Sequence, residues 1–333
     1  MSDPLLSPAV GGLMIAVSFT AIGYAVKKVS GDRLDEKKIP MMGVMGAFVF
    51  AGQMINFTIP GTGSSGHIGG GILLAALLGP FPALLTLASV LLIQCLFFAD
   101  GGLLAYGCNV FNMGLTACFG AYHFIFKPIT ARGISKKRIL AASVASVVIG
   151  LQAGAFCVVL ETLLSGVTEL PFGPFLLLMQ PIHLAIGFVE GIVTAGVLCY
   201  VQSIRPELLE SSVENTKLPA GLPIRKILVS FIVLTVLTGG LLSIFASAYP
   251  DGLEWSMKGV AGTTEIDREG PVYDTARNVV EAAAFMPDYG FAADEEGSIL
   301  GTTAAGIIGS VITVLLAGGI GLLIHGLRKK IPV

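Results

Sequence analysis

The sequence predicts an all-α polytopic membrane protein of about nine membrane segments, with a small extracytoplasmic domain between the last two. Three observations carry that expectation. First, 54% of the 333 residues are hydrophobic and only 13% are charged, about half the charged share of a soluble domain. Most of the surface must then face lipid, which sets aside nucleic-acid binding and cytosolic enzymes. Second, apolar runs long enough to cross a hydrocarbon core recur along the chain. Third, seventeen of the twenty basic residues fall in four short segments between or after those runs, the bias that marks cytoplasmic loops.

Eight runs read as spanning helices, near 8–26, 40–58, 80–98, 102–126, 138–164, 175–201, 224–248 and 301–326. A further apolar piece, 67–79, has 13 residues. At about 1.5 Å each it reaches roughly 20 Å, short of a core of about 30 Å. It reads as a partial helix buried among others, or as one that borrows residues from its neighbours. Irregular backbone at membrane depth survives only where protein or a cavity shelters it.

The basic segments orient these runs. They are Lys27, Lys28, Arg33, Lys37 and Lys38; Lys127, Arg132, Lys136, Lys137 and Arg138; Arg205, Lys217, Arg225 and Lys226; and Arg328, Lys329 and Lys330. With all four in the cytoplasm, the N-terminus lies outside and the C-terminus inside. The connections at 59–66 and around Asp100-Gly101-Gly102 lie outside. An even number of crossings joins them, so the short piece counts as a crossing, with Gly79-Pro80-Phe81-Pro82 as its cytoplasmic turn. The strip Met1–Ser7 and the loop 61–67 therefore share the outer face. A cysteine placed at Ser64 is expected to react with an impermeant thiol reagent added from outside.

Composition then divides the chain. Residues 1–203 form the main transmembrane body, and 204–223, rich in Pro and charge, reads as a cytoplasmic linker. Residues 224–333 form a two-helix unit whose polar segment 249–300 holds 11 of the 22 acidic residues and the only tryptophan, Trp255. The five cysteines sit in apolar stretches without close-paired spacing and read as small packing residues. No charged n-region precedes an apolar run with a cleavage site, so no cleavable signal peptide is expected.

The polar stretch Gly61-Thr62-Gly63-Ser64-Ser65-Gly66-His67, running into Ile68-Gly69-Gly70-Gly71, interrupts this apolar background. Glycine allows tight backbone folding, and the stretch ends in an imidazole, the commonest metal-ligating side chain. It reads as a loop that holds a transition-metal ion, with Ser64 and Ser65 in support. His183 lies near the start of a span with Glu190 two turns later on the same face, and ionisable groups in a span are candidates by default. A paired packing role is the plain alternative. His123 and His325 lie beside basic residues and read as interfacial. Asp100, Asn109 and Asn112 surround an outer helix start, with the two amides on one face. They read as loop or helix hydrogen-bonding groups that could support the metal. No G-x-x-x-x-G-K-[ST] string is present, so no bound nucleotide is expected and any ATPase is another chain.

Several strings together carry a resemblance. These are Gly61 to Gly71, Leu77-Leu78-Gly79-Pro80, Phe97-Phe98-Ala99-Asp100-Gly101-Gly102, and Asn109-Val110-Phe111-Asn112-Met113-Gly114. With Leu5-Leu6-Ser7-Pro8 and His183 to Thr194, they resemble the CbiM/NikM family over roughly residues 3–200. These are the substrate-binding components of energy-coupling factor transporters for cobalt and nickel. Pro250-Asp251-Gly252-Leu253-Glu254 resembles the signature of the family's small N-type companion subunit, here fused in one chain. The resemblance implies a transport subunit rather than an enzyme. It would work in the membrane with an integral coupling (T) protein and cytoplasmic ATPases, with Co2+ or Ni2+ as transported substrate and no nucleic-acid partner.

It also implies a planar set of four nitrogens. These are the N-terminal amine, the backbone nitrogen and imidazole of a histidine at position two, and the loop histidine. They map onto the Met1 amine, the Ser2 backbone nitrogen and His67; Ser2 brings no imidazole. Such ligation suits Ni(II) and Co(II) and disfavours the oxygen-seeking Mg2+ and Ca2+. A start two residues upstream, adding Met-His, would restore the pattern and is the expectation here. Two other classes compete. An intramembrane serine protease would pair Ser64 or Ser65 with His183. A stand-alone ion-coupled transporter would need neither ATPase nor coupling protein; missing inverted repeats and few intramembrane charges argue against it.

Overall fold

The computed structural model describes residues 1–31, 35–219, 221–291 and 299–328. Arg33, Lys329 and Lys330 of the basic segments, and 292–298 of the acidic segment, lie outside the described residues.

A 3-10 turn, Asp3–Leu5, opens the chain and leads into α1 (Pro8–Gly31) and α2 (Lys38–Gln53). A short antiparallel hairpin follows, β1 (Phe57–Ile59) with β2 (Ser64–Gly66), in the register Phe57↔Gly66, Thr58↔Ser65, Ile59↔Ser64. Then come α3 (Gly71–Leu78), α4 (Pro80–Phe97), α5 (Tyr106–Asn109), a π-helical run Val110–Phe126 and α6 (Lys127–Thr130). The body closes with α7 (Lys136–Ser165), α8 (Phe172–Ile204) and α9 (Pro206–Glu214). The remainder is α10 (Arg225–Val236), irregular turns to Phe245, α11 (Gly252–Ala261), α12 (Pro271–Ala283), a 3-10 turn Pro287–Tyr289 and α13 (Ile299–Arg328).

Six helices are long and apolar enough to cross a membrane: Pro8–Gly31, Pro80–Phe97, Lys136–Ser165, Phe172–Ile204, Arg225–Phe245 and Leu300–Gly326. Large apolar side chains such as Leu13, Phe19, Leu177, Phe188 and Leu323 are exposed on them, as lipid-facing surfaces require. This is a mostly helical, multi-pass membrane protein. The apolar run at 40–58 yields a helix of only 16 residues, because the chain turns into the hairpin at Phe57. The run at 102–126 starts its helix at Tyr106, since Gly101 and Gly102 take φ of 96° and 130° before it. The short apolar piece is an eight-residue helix, α3, buried on every side. It reaches about 12 Å, so any crossing there is completed by the glycine loop.

Two packing facts position the site. The helices α10 and α13 do not stand apart from the body. They close on α2, where Gly43 leaves no room for a Cβ against the Val314 carbonyl, 2.9 Å away. The stretch expected as a cytoplasmic linker contains a helix. Its helix α9 buries Leu208, Leu209 and Val213. The Ser212 Oγ donates to the Ala75 carbonyl at 3.0 Å, and Tyr122 donates its hydroxyl to the Ser212 carbonyl at 3.1 Å. An amphipathic sequence beside an apolar bundle end folds onto it rather than staying solvated.

Candidate functional site

The glycine stretch becomes the hairpin and the loop after it, and three elements hold that loop. On α8, Glu190 accepts the Gly70 N–H at 2.9 Å through Oε1. From α2, Gln53 donates Nε2 to the Gly69 carbonyl at 3.0 Å, and Gln94 of α4 donates to Gln53 at 3.0 Å. Gly70 has φ of 75°, and a Cβ there would come 2.5 Å from Val49, so only glycine fits. A Glu190→Ala variant should orphan a buried N–H at a cost of about 1–3 kcal/mol, while Glu190→Gln keeps an acceptor. Thermal melting of both in detergent checks this: equal midpoints for alanine and native would remove Glu190 from the loop's support.

The N-terminal strip is pinned alongside. Leu5 and Leu6 are fully buried. The Met1 carbonyl accepts from Asn109 Nδ2 at 3.0 Å, the Asp3 carboxylate accepts the Ala105 N–H at 2.8 Å, and the Leu6 carbonyl accepts the Tyr273 hydroxyl at 2.7 Å. Burial raises the Asp3 carboxyl above the usual carboxylate range, the amides of Ala105, Leu104 and Leu103 pulling the other way. A carboxyl whose pKa is higher folded than unfolded favours the fold most at low pH and loses that contribution as pH rises through the folded value. Acid therefore does not loosen this anchor as it would an ion-paired aspartate. Asp3→Asn, which keeps an acceptor and carries no charge, is expected to melt no lower than the native chain at neutral pH; a clearly lower midpoint would show that the charge itself is used.

Strip and loop meet at a cavity of about 130 Å³, roomy for an ion with some waters, each water needing about 10–15 Å³. Its walls carry Met1, His67, Asn109, Asn112, His183 and Asp251. Asn112, on the π-helical run, donates Nδ2 to Glu161 of α7 at 2.7 Å. Gly154 lets α7 approach so closely that a Cβ there would meet the Asn112 carbonyl at 2.4 Å. His183 enters from α8 with Nδ1 2.7 Å from the Met179 carbonyl, and His67 has Nδ1 3.1 Å from the Ile68 carbonyl. Among the described residues no three His, Cys, Asp or Glu side chains cluster closely enough to hold a metal between them.

The cavity is covered from the other end of the chain. The segment Tyr249–Trp255 lies along the hairpin: the Pro250 carbonyl accepts the Ser65 N–H at 2.8 Å, the Tyr249 carbonyl accepts the Ser65 hydroxyl at 2.7 Å, and Trp255 Nε1 donates to the Thr62 carbonyl at 2.9 Å. A capping box starts α11. Asp251 Oδ1 accepts the Leu253 and Glu254 N–H groups, each at 2.8 Å, and Glu254 accepts the Asp251 N–H at 3.1 Å. Burial, with Asp251 beside it, raises the Glu254 carboxyl.

Of the residues singled out from sequence, Met1, His67, Asn109, Asn112 and His183 share this cavity. The others go elsewhere. Ser64 and Ser65 are fully buried, and their hydroxyls are taken up by the Tyr249 and Pro250 carbonyls rather than facing His183 across a cleft. A cysteine at Ser64 would thus be shielded, contrary to the labelling expectation, because the 249–255 segment covers it. Asp100 accepts the Tyr289 hydroxyl at 2.5 Å outside the cavity wall. Ser2 is not a wall residue but follows Met1 directly, so its backbone stays beside the cavity; its carbonyl accepts the Leu5 N–H at 3.3 Å. Sequence reasoning missed Asp251 and Gly252 as wall residues; the Pro-Asp-Gly-Leu-Glu string was visible, but nothing local says where it docks.

Fold and site define a multi-pass membrane protein with a small, largely apolar cavity into which a few polar groups reach, lined by its own N-terminus, a glycine loop and a returning C-terminal segment. Residues 1–208 match the family model CbiM, cobalt uptake substrate-specific transmembrane region, and residues 225–326 match the PDGLE domain. The chain belongs to the CbiM/NikM family, with a PDGLE part fused behind it. A putative fused nickel transport protein NikMN of Archaeoglobus fulgidus is 32% identical over 319 residues, covering 94% of this chain and 95% of that one. A cobalt transport protein CbiM of Geobacter sulfurreducens is 30% identical over 217 residues, 63% of this chain and 61% of that one. A crystal structure described as a transition metal transporter superposes with a TM-score of 0.54 at 31% identity, covering 62% of this chain and 94% of the other.

Proposed function

We propose that this chain is the substrate-capture membrane subunit of an energy-coupling-factor importer for nickel or cobalt. An integral coupling protein and cytoplasmic ATPases on other chains would supply the work, and the chain itself would carry no enzymatic activity. The observation that carries the reading is the single cavity where Met1, His67 and His183 meet beneath the 249–255 segment. Side-chain donors alone do not cluster there, so the proposed ligand set joins the His67 imidazole to the Met1 amine and the Ser2 backbone nitrogen, with Asn109 and Asn112 in support. Nitrogen-rich ligation favours Ni(II) and Co(II) over Mg2+ and Ca2+. The names of the relatives point to the same two ions.

We assign residues 1–203 to the metal-binding body, 204–223 to the connection and 224–333 to the companion-like unit. The chain crosses the membrane nine times, with the N-terminus and the hairpin outside and the C-terminus in the cytoplasm. Because Ser64 is covered, the residue that tests this topology is Thr62, exposed at the hairpin tip. A Thr62→Cys chain should react with an impermeant maleimide in intact cells; reaction only after lysis would invert the orientation.

The transport reading is tested by uptake of radioactive nickel and cobalt in cells expressing this chain alone, with the coupling and ATPase subunits, and with an ATPase disabled in its nucleotide-binding lysine. Accumulation should need the intact ATPase. Equal accumulation by the chain alone would establish instead a stand-alone ion-coupled transporter.

A further inference from the structure

Two imidazoles from distant parts of the sequence line this cavity, and both turn the same nitrogen to the backbone. In each ring Nδ1 lies against a backbone carbonyl, Ile68 at 3.1 Å for His67 and Met179 at 2.7 Å for His183. A carbonyl accepts and cannot donate, so in each neutral ring the proton sits on Nδ1 and the lone pair on Nε2. Ligating histidines are held this way, the far nitrogen donating to a carbonyl that fixes tautomer and ring orientation. A helical histidine often bonds back to its own preceding turn without ligating anything. His123 does so, with Nδ1 3.1 Å from the Phe119 carbonyl, but it is exposed and stacked on Phe119. His183 differs in where it faces. It lines the cavity with Met1 and His67, and Gly252 of the covering segment sits against its ring.

That glycine contact is specific. A Cβ on Gly252 would stand 3.0 Å from His183 Cε1 and 3.4 Å from Nε2. A side chain at 252 would therefore press on the ring edge that carries the lone pair. Ile186, one turn further along the same face of α8, lies 3.0 Å from the same Cβ position. The ring is held by its own turn and flanked by a residue that has no side chain.

We propose that His183 is itself a metal ligand, presenting Nε2 to the ion that His67 and the Met1 amine hold, with Gly252 keeping that nitrogen accessible. The inference rests on the reading of the cavity as a nickel or cobalt site, and it adds a donor from α8, far from the loop and the N-terminal strip. Capture of the ion then ties α8 to the loop and places the bound ion against the fused C-terminal part.

The test uses the full chain in detergent with nickel as probe. Affinity is measured by titration, and the number of imidazoles on nickel by X-ray absorption, for the native chain, His67→Ala, His183→Ala and His183→Gln. Glutamine fills the ring's space and guards against an alanine variant that fails to fold. Expected are a fall in affinity of roughly tenfold or more for both His183 variants, one imidazole fewer on nickel in His183→Gln, and recovery of His183→Ala by added imidazole. A fall in affinity with the imidazole count unchanged would make His183 a packing residue and overturn the proposal. So would native affinity and count in His183→Gln, provided His67→Ala has lost nickel. If His67→Ala binds nickel as the native chain does, the reading of the cavity fails and the proposal fails with it.

Discussion

Cells carrying the His67→Ala chain together with its partner subunits are expected to accumulate nickel and cobalt only at background, and the purified variant to bind nickel at least about 100-fold more weakly. The size follows from the few donors available. No cluster of three side-chain ligands exists among the described residues, so each imidazole carries a large share of the affinity. Losing even an outer-shell partner of a ligand costs 10–100-fold, and losing the ligand itself costs more. The variant should nonetheless fold. His67 is only half-buried, and among the described residues its ring hydrogen-bonds only to the adjacent Ile68 carbonyl. The hairpin pairing, the Glu190 anchor and the Trp255 contact involve other residues. An unchanged melting curve with uptake lost would place the effect at the ion. Native uptake by the variant would end the assignment of this loop. For the native chain, affinity should fall on acidification, because nitrogen donors bind metal only when unprotonated.

What the sequence disclosed follows from which interactions are local. Hydropathy placed the long helices because lipid selects each of them separately. The seven-residue spacing put His183 and Glu190 on one face, and both do turn toward the loop, Glu190 onto Gly70 and His183 into the cavity. The glycine stretch signalled close backbone packing, and Gly66 indeed leaves no room for a Cβ against Ile186, 2.5 Å away. The misplaced residues share a different cause. Ser64, Ser65 and Asp100 were assigned by their neighbours in sequence, but their partners, Tyr249, Pro250 and Tyr289, lie more than 180 residues away. The pairing of Asn112 with Glu161 and the docking of the 249–255 segment are likewise tertiary choices, made by shape once the helices have packed. A period along one helix carries no information about them. Within the stretch 204–223, composition marked a connection but not its local structure: Leu208, Leu209 and Val213 form one buried apolar face of α9.

The largest expected loss of stability comes from a residue with no chemistry of its own. Helix α1 crosses α5 where Gly107 meets the backbone of Met14 and Ile15, and a Cβ on Gly107 would stand 2.3 Å from the Ile15 nitrogen and 2.5 Å from the Met14 carbonyl carbon. No rotamer change relieves that clash, because the atoms met are main chain. The contact at Gly11 is different in kind, since there the nearest atoms belong to the flexible Leu104 side chain. In Gly107→Ala the two helices must separate, and the Ser18 hydroxyl, which donates to the Gly107 carbonyl at 2.6 Å, loses its partner inside the protein. Overpacking of this sort costs about 1–3 kcal/mol or more, and the stranded hydroxyl about 1–3 kcal/mol further. Helix α1 buries few of its own side chains, Gly11, Ser18, Ala25 and Val29, although it also packs on α4 and α13. The Met1–Leu6 strip is continuous with α1, so moving the helix shifts Met1 relative to His67. Gly107→Ala should therefore melt several degrees lower in detergent and also bind nickel more weakly, although residue 107 does not line the cavity. Gly23→Ala on the same α1 is the control. A Cβ there meets nothing within 4 Å, and alanine is the better helix former by about 1 kcal/mol, so that variant should melt no lower than the native chain. If Gly107→Ala instead behaves like Gly23→Ala, the close crossing of α1 and α5 is not how the N-terminus is held at the ion.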